Sequence, residues 1–205
     1  MQIISGEYRG RKLKLSADAR PTQNLARGAI FNMLDGILPV DGRKIHVWDA
    51  FAGSGALGLE ILSRYKNSTA VFTDISDISV RAITDNLHGV DFARYKVDKS
   101  DAVIHIRKYA PRVNLVFVDP PYSEPNLGID FVNKLADAGF HGIIVQEIES
   151  NQEYTPDTNR WNVLRDKKYG RARLLIMQRD KGFDKNAPLP ITGPNTAQNI
   201  IYVDS

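Results

Sequence analysis

Apolar residues recur along this chain with two periods, and through the middle of the sequence the two take turns. Short runs at 45–49, 69–74, 113–118 and 142–146 read as strands, 113–118 as a buried β-branched one, and Arg94-Tyr95-Lys96-Val97 as a weakly patterned third strand. Between them, segments 55–65, 77–87, 101–109 and 126–138 carry apolar residues at helical spacing. Such alternation predicts right-handed crossovers and a parallel sheet covered by helices on both faces. At 161–165 and 172–177 two strands follow each other around Tyr169-Gly170 with no helix between, so they are expected to pair antiparallel. The chain opens with two short strands, 2–5 and 11–15, around a Gly6 to Gly10 turn. A helix then runs from Pro21-Thr22 to about Asp35, with Ala26, Ala29, Ile30, Met33 and Leu34 on one side. Residues 181–205, with Pro188, Pro190, Gly193 and Pro194, read as a loose tail.

Composition narrows the chemistry. The 205 residues suit one domain with an appendage, and 42% hydrophobic content is enough for a core. The absence of Cys excludes disulfides, thiolate metal sites and Cys nucleophiles, and His46, His88, His105 and His141 lack ligand spacing, so no metal is expected. No signal-peptide pattern and no membrane-length apolar run is present, which makes the cytoplasm the expected location. The net charge of +3 is modest but unevenly placed. Arg9, Arg11, Lys12, Lys14 and Arg20 cluster near the start, and Arg160, Arg165, Lys167, Lys168, Arg171, Arg173 and Arg179 near the end of the patterned region. These clusters read either as a phosphate-binding surface or as solvated strand faces.

The segment Asp49-Ala50-Phe51-Ala52-Gly53-Ser54-Gly55-Ala56-Leu57-Gly58 ends a strand in an acid, turns through glycines and enters a helix. Glycine lets backbone approach a ligand, and ligands of open α/β sheets sit at the carboxyl ends of strands. The segment also satisfies G-x-G-x-x-G with Asp74 downstream, so a dinucleotide-dependent oxidoreductase competes. A carboxylate at Asp49 would repel a pyrophosphate and favour the cationic amino group of a methionine moiety. That favours S-adenosyl-L-methionine as cofactor, with Asp49, Phe51, Ala52, Gly53, Ser54 and Gly55 around it. Asp74 and Ile75 follow the second strand, where a carboxylate suits ribose hydroxyls. Asp101 and Ala102 follow the third, where a carboxylate could accept from the adenine amino group. Each Asp could instead cap a turn or helix.

After the fourth strand comes Asp119-Pro120-Pro121-Tyr122. Two prolines stiffen the backbone and remove N–H donors, leaving an acceptor-rich corner of the Asp119 carboxylate and the Pro120 carbonyl. Two acceptors can hold an exocyclic base amino group and aim its lone pair at a sulfonium methyl, while Tyr122 offers a face on which a base stacks. These four residues are the catalytic candidates, in a pocket shared with the Asp49 turn.

With those residues in hand, the chain resembles the bacterial 16S rRNA (guanine-N2)-methyltransferase family from about residue 2 to 178. The likeness is carried by Ile3-Ile4-Ser5-Gly6-Glu7-Tyr8-Arg9-Gly10-Arg11-Lys12-Leu13, Arg20-Pro21-Thr22 with Arg27 and Ile30-Phe31-Asn32, Phe51 to Glu60, Leu62-Ser63-Arg64, Asp119 to Tyr122, and Lys168-Tyr169-Gly170. It departs at Gln23, Asn24 and Gly28 and beyond Glu147. The resemblance implies a class I, Rossmann-like methyltransferase fold: a mostly parallel seven-stranded sheet with helices on both faces, a terminal antiparallel hairpin and a small N-terminal hairpin and helix extension. It divides the chain into an RNA-facing extension (1–40), a catalytic domain (41–180) and a tail (181–205). It implies methylation of a guanine N2 in 16S rRNA, within the 30S subunit or its precursor, with Arg9, Arg11, Lys14, Arg20, Thr22 and Arg27 as RNA contacts and no oligomer required. Adenine-N6 or cytosine-N4 methylation would use the same Asp119 geometry. A protein-glutamine methyltransferase is disfavoured because Asp119 stands where those enzymes usually carry Asn. An assembly factor without turnover is disfavoured by the intact Asp49, Gly53, Gly55, Asp119 and Tyr122.

Overall fold

The computed structural model describes residues 1–15, 23–38 and 44–179. Within it the alternating middle of the chain becomes β1 (Ile45–Asp49), α2 (Ala56–Arg64), β2 (Ser68–Asp74), α3 (Asp77–Asn86), β3 (Tyr95–Lys99), α4 (Ile106–Tyr109), β4 (Leu115–Val118), α5 (Leu127–Asp137) and β5 (Ile143–Glu149). The helix α1 (Gln23–Leu34) precedes them, and β6 (Asn162–Tyr169) and β7 (Ala172–Gln178) close the sheet. The expected start of α1 at Pro21-Thr22 and the tail at 181–205 lie outside the described residues.

All seven strands form one sheet in the order β3-β2-β1-β4-β5-β7-β6. The first five pair parallel, and β7 pairs antiparallel with both β5 and β6. The faces are packed separately. On one, Ile30, Phe31 and Leu34 of α1 and Leu59, Ile61 and Leu62 of α2 join Phe72, Ile83, Phe117 and Val145. On the other, Phe131, Val132 and Leu135 of α5 join Trp48, Val116, Val118 and Ile144. Leu115–Val118 is buried at every position, as a central parallel strand with both faces covered requires.

Three elements differ from the expected pattern. The helix expected over 101–109 is helical only at Ile106–Tyr109; Asp101 opens it with a turn in which its carboxylate accepts from Val103 N–H at 2.7 Å and its carbonyl from His105 N–H at 3.2 Å. Strand β5 continues past Gln146 to Glu149, held by an antiparallel ladder in which Glu147 pairs with Leu174 and Glu149 with Ala172. The charged stretch Asp166-Lys167-Lys168 extends β6, an edge strand whose outer side faces solvent.

The N-terminal hairpin contracts to a single antiparallel bridge, Gln2 with Lys12. Ile3, Gly10 and Leu13 N–H donate within the hairpin, to the Arg11, Ile3 and Met1 carbonyls, and further donors reach α2 and α3. The buried Glu60 carboxylate on α2 accepts from Ile4 N–H at 2.8 Å and Ser5 N–H at 2.9 Å, and Ser63 accepts from Glu7 and Tyr8 N–H. Arg64 donates to the same Glu60 oxygen as Ser5, at 2.8 Å. Asn86, at the end of α3, holds Lys14 through both its backbone N–H and its carbonyl. The segment is therefore docked onto α2 and α3 by buried polar bonds, with Ile3 and Leu13 inserted in the core.

Glu60→Ala removes the acceptor from two backbone donors and one guanidinium at a buried carboxylate. Chemical denaturation should show a loss of about 3 to 5 kcal/mol, the usual cost of breaking a buried charged network. Limited proteolysis should cut first within residues 1–15, and unchanged protection of that segment would contradict its anchoring by Glu60.

Candidate active site

Strand β1 lies between β2 and β4, so the chain leaves β1 in one direction and returns on the other side. Crossovers that part in this way leave a crevice at the carboxyl ends of the strands. A cavity of about 620 Å³ occupies this position. It is lined by the turn after β1, the ends of β2 and β3, the corner after β4, Glu147 of β5, and Arg27 and Ile30 of α1.

The glycine turn is fastened to both neighbouring strands. Ala50 N–H donates to Phe117 of β4 at 3.1 Å, and Ala52 N–H donates to Thr73 of β2 at 3.0 Å. Gly53 N–H donates to Asp74 Oδ2 at 2.8 Å, and Ser76 N–H to Asp74 Oδ1 at 2.9 Å. Each Asp74 oxygen thus keeps a second lone pair for a ligand donor. Gly53 and Gly55 have φ of 53° and 74°, a left-handed turn that L residues adopt at a cost. Gly58 serves another purpose: a Cβ there would stand 2.4 Å from the Phe72 ring, so its absence lets α2 sit down on β2. Gly58 N–H donates to Asp49 Oδ2 at 3.0 Å, and Asp49 is only 2% exposed. A buried carboxylate on the cavity wall is a site for a cationic group, and the half-buried Asp74 suits hydroxyl donors.

The same cavity is lined by Asp119, Pro121 and Tyr122, from the strand next to β1. Asp119 and Tyr122 are half-buried, and the Tyr122 hydroxyl donates to Glu147 Oε1 at 2.7 Å. Glu147 is 6% exposed and lines the cavity. Its role has no signature in sequence, because it sits past the expected end of its strand among Gln146, Ile148 and Glu149. Only the ladder to β7 carries the strand far enough to present it.

The cavity gathers most of the expected site residues: Asp49, Phe51, Ala52, Gly53, Ser54, Asp74, Ile75, Asp101, Ala102, Asp119, Pro121 and Tyr122. Gly55 shapes the turn without lining the cavity. Pro120 is buried with its ring against Gly128 of α5, outside the lining. Asp101 is exposed on the rim and caps its own turn. The expected RNA contacts separate. Arg9 is exposed. Arg11 stacks over Tyr8 at 4.4 Å and donates to the Asn86 and His88 carbonyls. Lys14 pairs with Asp85 at 2.8 Å. Arg27 is 4% exposed, donates to the Gln2 carbonyl and lines the cavity, so it belongs to the pocket wall and not to an outer surface. Arg20 and Thr22 lie outside the described residues. Among the described residues no cluster of three or more His, Asp or Glu side chains is placed to hold a metal ion, and no helix is long and apolar enough to cross a membrane.

Residues 1–178 match the model of the family described as Conserved hypothetical protein 95. The Ribosomal RNA small subunit methyltransferase D of Escherichia coli K12 is 32% identical over 192 residues, covering 91% of this chain and 94% of that protein. The solved structure of the E. coli protein yhhF superposes with a TM-score of 0.75 at 31% identity, covering 88% of this chain and 98% of that one. The magnesium protoporphyrin IX methyltransferase of Synechocystis PCC 6803, solved with bound SAM, shares the fold at a TM-score of 0.57 and 14% identity. The fold is that of the class I methyltransferases, and the chain is a methyltransferase.

Burial pushes the Asp49 carboxyl up from 3.8 to about 7; the Gly58 N–H bond opposes the shift, and the charge of Asp74 adds to it. A folded-state value above the unfolded one means that the folded chain holds a proton the unfolded chain has released. The stabilising contribution is therefore full below about pH 4 and lost as pH rises to about 7. Asp49→Asn should flatten unfolding free energy across that window relative to the parent. An equal slope in both proteins would show that Asp49 titrates normally.

Proposed function

The chain belongs to the Conserved hypothetical protein 95 family, and from that premise we propose that it transfers a methyl group from S-adenosyl-L-methionine to the exocyclic N2 of a guanine in 16S rRNA. The observation that carries this reading is the shared cavity, lined both by the Asp49 turn and by Asp119, Pro121 and Tyr122. The residues fit the cofactor's chemistry. Asp49 would hold the methionine ammonium, Asp74 the ribose hydroxyls, and Ile75 with Ala102 would border the adenine. Asp101 stands at the rim for the adenine amino group. When bound, S-adenosyl-L-methionine supplies a methyl group activated by its sulfonium.

The chain's own work is to hold the base. A guanine amino group is conjugated with its ring and is a weak nucleophile. The Asp119 carboxylate accepts one amino N–H, and the Pro120 carbonyl is the candidate acceptor for the other. Together they orient the nitrogen lone pair, and the carboxylate stabilises the positive charge that develops on nitrogen. Pro121 keeps the corner rigid. Tyr122 provides the face against which a flipped base stacks, its ring set by the bond to Glu147. The substrate is rRNA inside the 30S subunit or its precursor, which places the enzyme in the cytoplasm. Arg9, with Arg20 and Thr22, contacts the RNA; Arg11 and Lys14 present the segment and share their charge with it.

Transfer of labelled methyl to unmodified 30S subunits, free 16S rRNA and DNA, followed by nucleoside mass spectrometry, should yield N2-methylguanosine from the ribosomal substrate; methylation of DNA or of another base would refute the reading. Asp119→Ala should lower turnover by on the order of 10² to 10³, as loss of one aligned charge-stabilising group does, with S-adenosylhomocysteine affinity within a few fold of the parent. The cofactor reading also has a proton signature. An ammonium beside Asp49 favours the ionised carboxylate, so S-adenosylhomocysteine binding at pH 6 should release a proton and tighten as pH rises to about 7. Calorimetry in buffers of different ionisation enthalpy measures it, and zero proton release would separate Asp49 from the ammonium.

A further inference from the structure

The ring positions beside an exocyclic amino group carry N–H groups or lone pairs, and the bases differ in which. Guanine carries N1–H on one side of its N2 amino group and the N3 lone pair on the other. Adenine and cytosine carry lone-pair nitrogens, N1 and N3, next to theirs. A site that binds only an amino group accepts all three bases. A second acceptor at the adjoining position favours guanine and repels the other two, because a carboxylate facing a lone pair gains no hydrogen bond and meets negative charge.

Such a second acceptor stands beside Asp119. Strands β4 and β5 are parallel and in register, with Val118 opposite Gln146. Asp119 directly follows β4 and Glu147 directly follows Gln146 on β5, so the two residues leave the ends of strands spaced about 4.8 Å apart and line one cavity. Side chains alternate along a strand, and Phe117 and Val145 face the α1 side of the sheet. Glu147 therefore faces that side too, where Arg27 and Ile30 line the same cavity as Asp119. Glu147 is 6% exposed and accepts the Tyr122 hydroxyl at 2.7 Å, which fixes its carboxylate at the edge of the proposed base platform. A carboxylate has about four lone-pair sites, enough to accept from Tyr122 and from a ligand together. The N1–H and N2–H groups of guanine lie side by side on one edge, as the two carboxylates do across two strands.

We infer that Glu147 is the specificity-determining residue of this site, accepting N1–H of the target guanine while Asp119 accepts from N2. The inference rests on the reading above and adds how guanine is told from adenine and cytosine. A base that brings a lone pair to Glu147 sets like charge against a buried carboxylate oxygen, so it is rejected by more than the absence of one contact.

The test uses 30S subunits assembled from ligated 16S rRNA in which the mapped target guanosine is kept or replaced by 2,6-diaminopurine riboside. That base retains the N2 amino group but has a lone pair at N1. The parent enzyme should prefer guanine by on the order of 100-fold or more in kcat/KM, as expected of a site built to bond a substrate N–H. In Glu147→Gln the Tyr122 hydroxyl still donates to the amide oxygen, which turns the amide NH₂ toward the base. The variant should therefore lose activity on guanine and gain it on diaminopurine, lowering the preference at least tenfold. Equal losses on both bases would overturn the inference. Glu147→Asp, which keeps the charge and withdraws it by one methylene, should slow methylation of guanine yet keep the preference within about threefold of the parent; loss of the preference there would also overturn it. If the parent forms no N2-methylguanosine on the unsubstituted subunit, the functional reading itself falls. N2-methylguanosine together with an unmoved preference removes only the role of Glu147.

Discussion

Everything at this site follows from the position of β1. With a parallel neighbour on each side, its carboxyl end cannot continue across the sheet, and the crossovers to β2 and β4 must part there. The gap between them is the cavity. Because Ala50 is bonded to Phe117 and Ala52 to Thr73, the turn after β1 is clamped to both walls of that gap. The geometry is set by main-chain bonds within a buried sheet, a stiffer support than surface loops provide.

The cavity collects negative charge, and each carboxylate is restrained in a different way. Asp49 is buried against a single backbone donor and holds its proton to about pH 7, so it is primed for a cation to complete it. Asp74 spends one lone pair per oxygen on the turn it stabilises. Glu147 is fixed by a tyrosine hydroxyl. A cationic cofactor and a donor-rich base edge are the ligands such a wall favours, whereas a pyrophosphate would meet charge of its own sign.

The N-terminal segment belongs to this architecture more closely than a separate RNA-facing appendage would. Glu60 binds it from α2, and Asn86 ties it to the glycine turn by donating to both Lys14 and Ser54 carbonyls. Met1, Arg27 and Ile30 reach the cavity itself. Contacts made by this segment with a substrate are thereby connected, through Asn86, to the turn that frames the cofactor side.

The sequence by itself determined the alternating strands and helices, the antiparallel closing hairpin, the acid-and-glycine turn at 49–58 and the acceptor corner at 119–122. Each rests on local chemistry: a hydrophobic period, the freedom of glycine, the stiffness of proline. The docking of residues 1–15, the inward turn of Arg27, the burial of the Pro120 ring against Gly128 and the appearance of Glu147 in the cavity were decided only by tertiary structure. Apart from Gly128, which is near Pro120 in sequence, their partners are far away along the chain, on α2, α3, the Gln2 carbonyl and the corner after β4. A carboxylate such as Glu147 looks in sequence like any other charge near a strand end. Only the ladder to β7, pairing residues more than twenty positions apart, extends its strand and turns that charge inward.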